Sequence, residues 1–365
     1  MKKRDSGIEL LRTIAMLMVI LIHAFLYGNF YSESIAAGGA NAEFMTIIKL
    51  SLRPAVNIFL LITGYFMVKS EFNLKKSYSR VLYTYSRIWF YSVILTVIFL
   101  ILGSEYCIPV MSSTPMPIHK IILRGIFPVT SQMWYYLGNY IIICLLAPFI
   151  NISLKSITKK QYQILLIILS LFMSVWMTLL KVYPFNLWFN SFSFGSIFDG
   201  KNIFSFICIY IIGGYIGLHA QKRDNPRYAY LYSAFACLIV NYLLMSYIDP
   251  ELGYRGVAMN YSNPFVILQG VFMLLFFKDF HFHSKIVNTI ASTTLGVYAI
   301  HEFTFVRSFL WENLFDFREM EEISFLTVLL ISVGIFFTFA IVDYLIQKLF
   351  AQLKKIKKSK TEKTT

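Results

Sequence analysis

The chain has 365 residues, of which 57% are hydrophobic and 14% charged, and its mean hydropathy is +0.63. An ordinary soluble domain carries about 25% charged residues, so the composition excludes a water-soluble fold and predicts an integral membrane protein. The formal net charge of +14 invites a nucleic-acid reading, which the placement of the charges along the chain removes.

The first apolar run covers about 8–28 and contains Glu9, Arg12 and His23. At about 100° per residue, Arg12 and His23 share one helix face, roughly 16 Å apart along the axis. Glu9, three residues before Arg12, lies on that face too. Ionisable groups at membrane depth face a bundle interior or a water-filled path. The simpler reading is a Glu9–Arg12 ion pair and a histidine bonded to a neighbouring helix. The run is long and has no clear small-x-small cleavage site, so a retained helix is expected rather than a signal peptide.

The second run, about 44–68, is entered from its outer side by Arg53 and holds Thr63-Gly64-Tyr65. The small pair lets another helix or a ligand come close. Lys75, Lys76, Arg80 and Arg87 follow. They form either a basic cytoplasmic linker or a docking surface for an anionic donor such as a nucleotide-containing thioester. The longest loop, about 105–132, is rich in proline and too short for a soluble domain.

A later run opens on Trp134-Tyr135-Tyr136-Leu137-Gly138-Asn139-Tyr140 and closes on Pro148-Phe149-Ile150-Asn151. Clustered aromatics with an amide suit an interfacial belt or a sugar. The ninth run ends on Gly296-Val297-Tyr298-Ala299-Ile300-His301-Glu302. Neighbours on a helix point about 100° apart, so His301 and Glu302 are not expected to act as a pair.

Runs at about 87–104, 133–152, 161–181, 202–219, 227–248, 263–280, 286–303 and 324–350 complete ten predicted spans. Most of the 33 Lys and Arg fall on the two termini and on the loops after the second, fourth, sixth and eighth runs. The other side holds Lys49, Arg53, Lys120, Arg124, Lys181, Lys201, Arg255, Arg307 and Arg318. Both termini are therefore expected in the cytoplasm, with an even number of spans. The basic tail, 351–365, reads as a cytoplasmic lipid-facing anchor, and no nucleic-acid partner is expected. Cys107, Cys144, Cys208 and Cys237 have no CxxC spacing and read as small packing residues, with no metal site. The fold class is an all-α polytopic bundle of about ten transmembrane helices, in one domain over 1–365.

Four of these motifs, in this order, resemble the membrane acyltransferase family called acyltransferase 3. The first is Arg12, ten residues, then His23. The second is Val56-Asn57-Ile58-Phe59 followed by Thr63-Gly64-Tyr65, where Asn57 and Thr63 replace the usual Pro and Ser. The third runs from Trp134 to Gly138 with Pro148 to Asn151 behind it, and the fourth from Leu295 to His301. The resemblance covers roughly 5–350. It implies an O-acyltransferase of the cell membrane of a bacterium, taking acetyl from cytoplasmic acetyl-CoA and giving it to a hydroxyl of a surface polysaccharide or its lipid-linked precursor. Under it, His23, Arg12 and Glu9 carry the chemistry, with His23 as general base or acyl relay. Arg80, Arg87 and Lys76 bind the donor. Arg53, Tyr65, Trp134, Tyr136, Asn139, His301 and Glu302 line the acceptor path. No bound cofactor is expected. A transporter or flippase of a glycan or lipid-linked intermediate is the competing reading, because polar residues along a through-path serve it equally.

Overall fold

A computed structural model describes residues 5–102, 117–131, 134–182, 188, 200–221, 227–247, 254–318 and 323–361. Among these the regular elements are all helical: α1 (Gly7–Tyr27), α2 (Phe30–Ala37), α3 (Gly39–Leu52), α4 (Ala55–Met67), α5 (Leu74–Leu102), α6 (Ile118–Ile126) and α7 (Tyr135–Ser156), then α8 (Lys159–Leu179), α9 (Ile203–His219), α10 (Arg227–Tyr247), α11 (Arg255–Ala258), α12 (Pro264–Lys278), α13 (Lys285–His301), α14 (304–314) and α15 (Phe325–Thr361). Each predicted run falls on a helix. Seven are long and apolar enough to cross a membrane: α1, α3–α4 taken together, α5, α7, α8, α10 and α15. The shorter α9, α12 and α13 lie against the core. The chain is a helical membrane protein. Cys107 and most of the proline-rich loop lie outside the described residues; Cys144 and Cys208 are buried and free, as packing residues would be.

Local sequence explains where helices begin and break. Thr158 and Gln161 form a reciprocal capping box at the start of α8. The side chains of Asn202, Asn263 and Ser284 accept backbone N–H groups at the starts of α9, α12 and α13, and Pro264 occupies the first turn of α12. The second predicted run is broken at Arg53-Pro54. Proline has no N–H to donate, so α3 closes there and α4 starts anew. At the C-terminus, helix continues past residue 350 to Thr361, because Gln, Leu and Lys all favour it. As far as Thr361, the basic tail continues α15.

α1 is the central element and packs against α4, α12, α13 and α15. α4 lies closest to α9. A Cβ at Gly64 would stand 2.1 Å from the Tyr210 carbonyl oxygen, and one at Gly213 would stand 2.3 Å from that of Leu61. Gly64 therefore serves a helix contact and not a ligand. Asn151, which closes the Pro148 motif, donates to the Met67 carbonyl at the end of α4 and accepts from Tyr210. The helices α5, α8, α10 and α15 turn apolar side chains such as Ile101, Phe172, Tyr232 and Leu330 outward, as a lipid-facing layer requires.

Hydrogen bonds sort the loops into two ends. At one end Ser6 bonds Phe282 and Asn288, Lys155 bonds the Ser70 carbonyl, and Lys278 bonds that of Gln221. At the other, Phe317 N–H donates to Gly28, Ser174 to Ser262, Asn139 to Lys201 and Asn57 to Tyr261. Each of these bonds joins two segments that the charge distribution places on the same side.

Candidate functional site: a cavity between two arginine-bearing ends

A cavity of ≈ 380 Å³ follows one face of α1. Arg12, Met16, Val19 and His23 line it at helical spacing, so its two ends are about 16 Å apart along the axis. The walls between are Phe59 and Thr63 of α4, Tyr136 and Tyr140 of α7, and Leu295 and Tyr298 of α13.

The Arg12 end holds the guanidiniums of Arg12, Arg80 and Arg87. Arg12 Nη1 donates to Glu9 Oε2 at 2.8 Å, and Glu9 is buried behind the wall. Arg87 pairs with Asp343 at 2.5 Å; Tyr91 and Gln347 bond the same carboxylate. Asp343 is completely buried and is seated on Gly296, where a Cβ would stand 2.0 Å from its Oδ1. The glycine of the late motif is thus the seat of a carboxylate from α15. Arg80 lines the cavity with no hydrogen bond or ion pair among the described residues, and it also edges a small adjoining pocket with Lys76.

The opposite end is built on His23. Its Nδ1 lies 3.0 Å from His301 Nε2 and 3.0 Å from Glu302 Oε2. His301 is fully buried, and its Nδ1 lies 3.0 Å from the Val297 carbonyl. A carbonyl oxygen only accepts, so the His301 proton sits on Nδ1. With both rings neutral, His301 Nε2 is then an acceptor and His23 Nδ1 the donor. That leaves the His23 Nε2 lone pair free on a side chain that lines the cavity. Glu302 Oε2 makes no directed hydrogen bond; Glu302 Oε1 accepts from Arg307 at 2.7 Å. The prediction that His301 and Glu302 do not pair is corrected in one respect. Glu302, at the end of α13, keeps helical backbone angles, but its side chain is long enough to bring Oε2 to 4.0 Å from His301 Nε2, and both residues reach His23. Their atoms could also surround a metal ion, but Arg307 on the carboxylate opposes a cation there.

Several predicted site residues lie off the cavity. Trp134 is buried against Phe303. Asn139 spends its amide on the carbonyls of Tyr135 and Lys201. Tyr65 packs beside Phe66 under Lys69. His301 stands behind His23 and not on the wall. Sequence reasoning missed Asp343, Tyr261, Tyr298 and Arg307. Asp343 had a signal: it is the single carboxylate in the apolar run of α15, so it needed a buried cation.

The architecture is that of a helical membrane protein with a half-buried histidine on a cavity joining two polar ends. The chain matches the family model for an acyltransferase domain, acyltransferase 3, over residues 5–346, and it belongs to that family. No curated protein and no solved structure matches it.

Proposed function

We propose that the protein is an O-acyltransferase that takes acetyl from acetyl-CoA at the Arg80 end of the cavity. It delivers the group to a hydroxyl of a surface polysaccharide, or its lipid-linked precursor, at the His23 end. The observation that carries this reading is the single cavity from Arg12, Arg80 and Arg87 to His23. In this topology ten helices cross a bacterial cytoplasmic membrane and both termini are cytoplasmic, which puts Arg80 on the donor side.

Arg80, free of any carboxylate, and Lys76 beside it hold donor phosphates. The uncharged arm of the donor runs along the aromatic walls to His23. His23 Nε2 takes the proton from the acceptor hydroxyl as its oxygen bonds the thioester carbonyl carbon. The C–S bond then breaks, and the thiolate leaves with that proton. His301 and Glu302 hold the His23 ring, and Glu9 and Asp343 hold Arg12 and Arg87.

The test supplies purified protein in detergent with labelled acetyl-CoA and envelope polysaccharide stripped of esters by mild alkali. Label is expected in the polysaccharide, with loss of more than about 100-fold for His23→Ala at equal protein level. Undiminished transfer by that variant would remove His23 from the chemistry. No donor consumption by the native protein, with glycan movement in vesicles, would favour the transporter.

A further inference from the structure

Resting on that reading, we infer that Arg53 is the catalytic residue that stabilises the negative charge developing on the thioester oxygen. Acyl transfer places that charge on the carbonyl oxygen as the hydroxyl attacks. The stabilising donor must therefore stand within hydrogen-bond reach of the same reacting carbon that His23 serves. Arg12 does not qualify: it lies about 16 Å along α1 from His23 and is already bound by Glu9.

The outer end has two guanidiniums. Arg307 is committed to Glu302 and lies over the Tyr27 ring at 4.4 Å. Arg53 lines the cavity with His23, and no hydrogen bond or ion pair engages its guanidinium among the described residues. Its Nε is buried without a partner, and its guanidinium stands 5.5 Å from the Tyr261 ring. Lys49, one turn earlier, is turned onto Tyr31 at 3.3 Å and does not reach the cavity wall. A partly buried cation with an orphaned donor is costly unless something anionic meets it. Among the described residues no carboxylate pairs with it, and Glu302, which lines the same cavity, is held by Arg307.

The backbone holds Arg53 in place. It sits at the α3–α4 break, where Pro54 fixes the chain direction, and Asn57 donates to the Tyr261 carbonyl at 2.8 Å, fixing the ring beside the guanidinium. A preset donor of this kind needs little rearrangement when charge appears. In the step itself the hydroxyl oxygen bonds the carbonyl carbon and its proton passes to His23 Nε2. The carbonyl π pair moves onto the oxygen facing Arg53. That pair returns as the C–S bond breaks, and the thiolate takes the proton from His23.

The experiment measures two reactions of purified protein: acetyl transfer to alkali-treated envelope polysaccharide, and the slow hydrolysis of acetyl-CoA by water without polysaccharide. Both pass through the same oxyanion. Arg53→Gln is expected to lower kcat of both by about 10²–10³-fold, with the KM for acetyl-CoA unchanged. Arg53→Lys, which keeps the charge but not the planar fork, should fall between. Thermal unfolding in detergent checks folding; if Arg53→Gln is misfolded, Arg53→Lys carries the comparison. Unchanged hydrolysis with only a raised KM for polysaccharide would overturn the inference and make Arg53 a binder of acidic acceptors. Equal rates for all three proteins would also overturn it. If the native protein consumes no donor, the acyltransferase reading itself fails, and Arg53 is not at issue.

Discussion

His23 has one nitrogen committed and one free, and the commitment is made two residues deep. Val297 fixes the tautomer of His301, and His301 fixes that of His23. Removing His301 leaves Glu302 to accept from Nδ1 but lets the ring turn. His301→Ala is expected to lower kcat about 10-fold or more, with KM for both substrates unchanged, whereas His301→Gln restores part of the rate because its amide oxygen can accept. A structural role alone would show as lost protein without that rescue. The arginines at the other end of the cavity divide differently. Arg80→Ala is expected to raise the KM for acetyl-CoA by about 10-fold or more, the scale of a lost charged hydrogen bond. Arg87 is occupied by Asp343, so Asp343→Ala should act on stability, by about 3–5 kcal/mol, read as a lowered Tm in detergent. The double variant Arg87→Met/Asp343→Leu should recover much of that loss.

Among the elements, the contact of α4 with α9 leaves least room for change. A methyl at Gly64 meets backbone and not a movable side chain, so Gly64→Ala should cost about 1–3 kcal/mol and reduce the folded yield of purified protein. The presence of each long apolar helix was readable from sequence because a membrane core requires long apolar runs, but its extent was not: α5 begins at Leu74, before its run, and the second run breaks at Arg53-Pro54. The Glu9–Arg12 pair and the face shared with His23 follow from helical periodicity. Contacts across the fold were not readable. His23 and His301 are 278 positions apart, and Arg87 and Asp343 are 256 apart. Which helix faces which is decided by packing, and periodicity within one helix does not carry it. The aromatic motif of α7 shows the same limit. Tyr136 reaches the cavity, but Trp134 and Asn139 do not, because the residues around a helix turn face different neighbours.

For the molecule as a whole, the loop groupings make topology testable. Single cysteines placed at Lys155 and at Arg318, in a background without the four native ones, should differ in labelling of intact cells by an impermeant thiol reagent. Arg318→Cys is expected to react and Lys155→Cys to stay protected until the cells are opened. A free guanidinium at each end of the cavity, with apolar and aromatic walls between, also has an electrical consequence. The polyanionic part of the donor is held at Arg80, and only its neutral arm advances. The acetyl group that leaves is uncharged, and the proton His23 removes is returned to the departing thiol at the same place. A turnover therefore moves no net charge across the bilayer. The membrane potential, worth about 2.3 kcal/mol per elementary charge per 100 mV, does no work on the reaction. Acetyl transfer should run at the same rate in energised and de-energised vesicles, whereas export of a charged glycan would not.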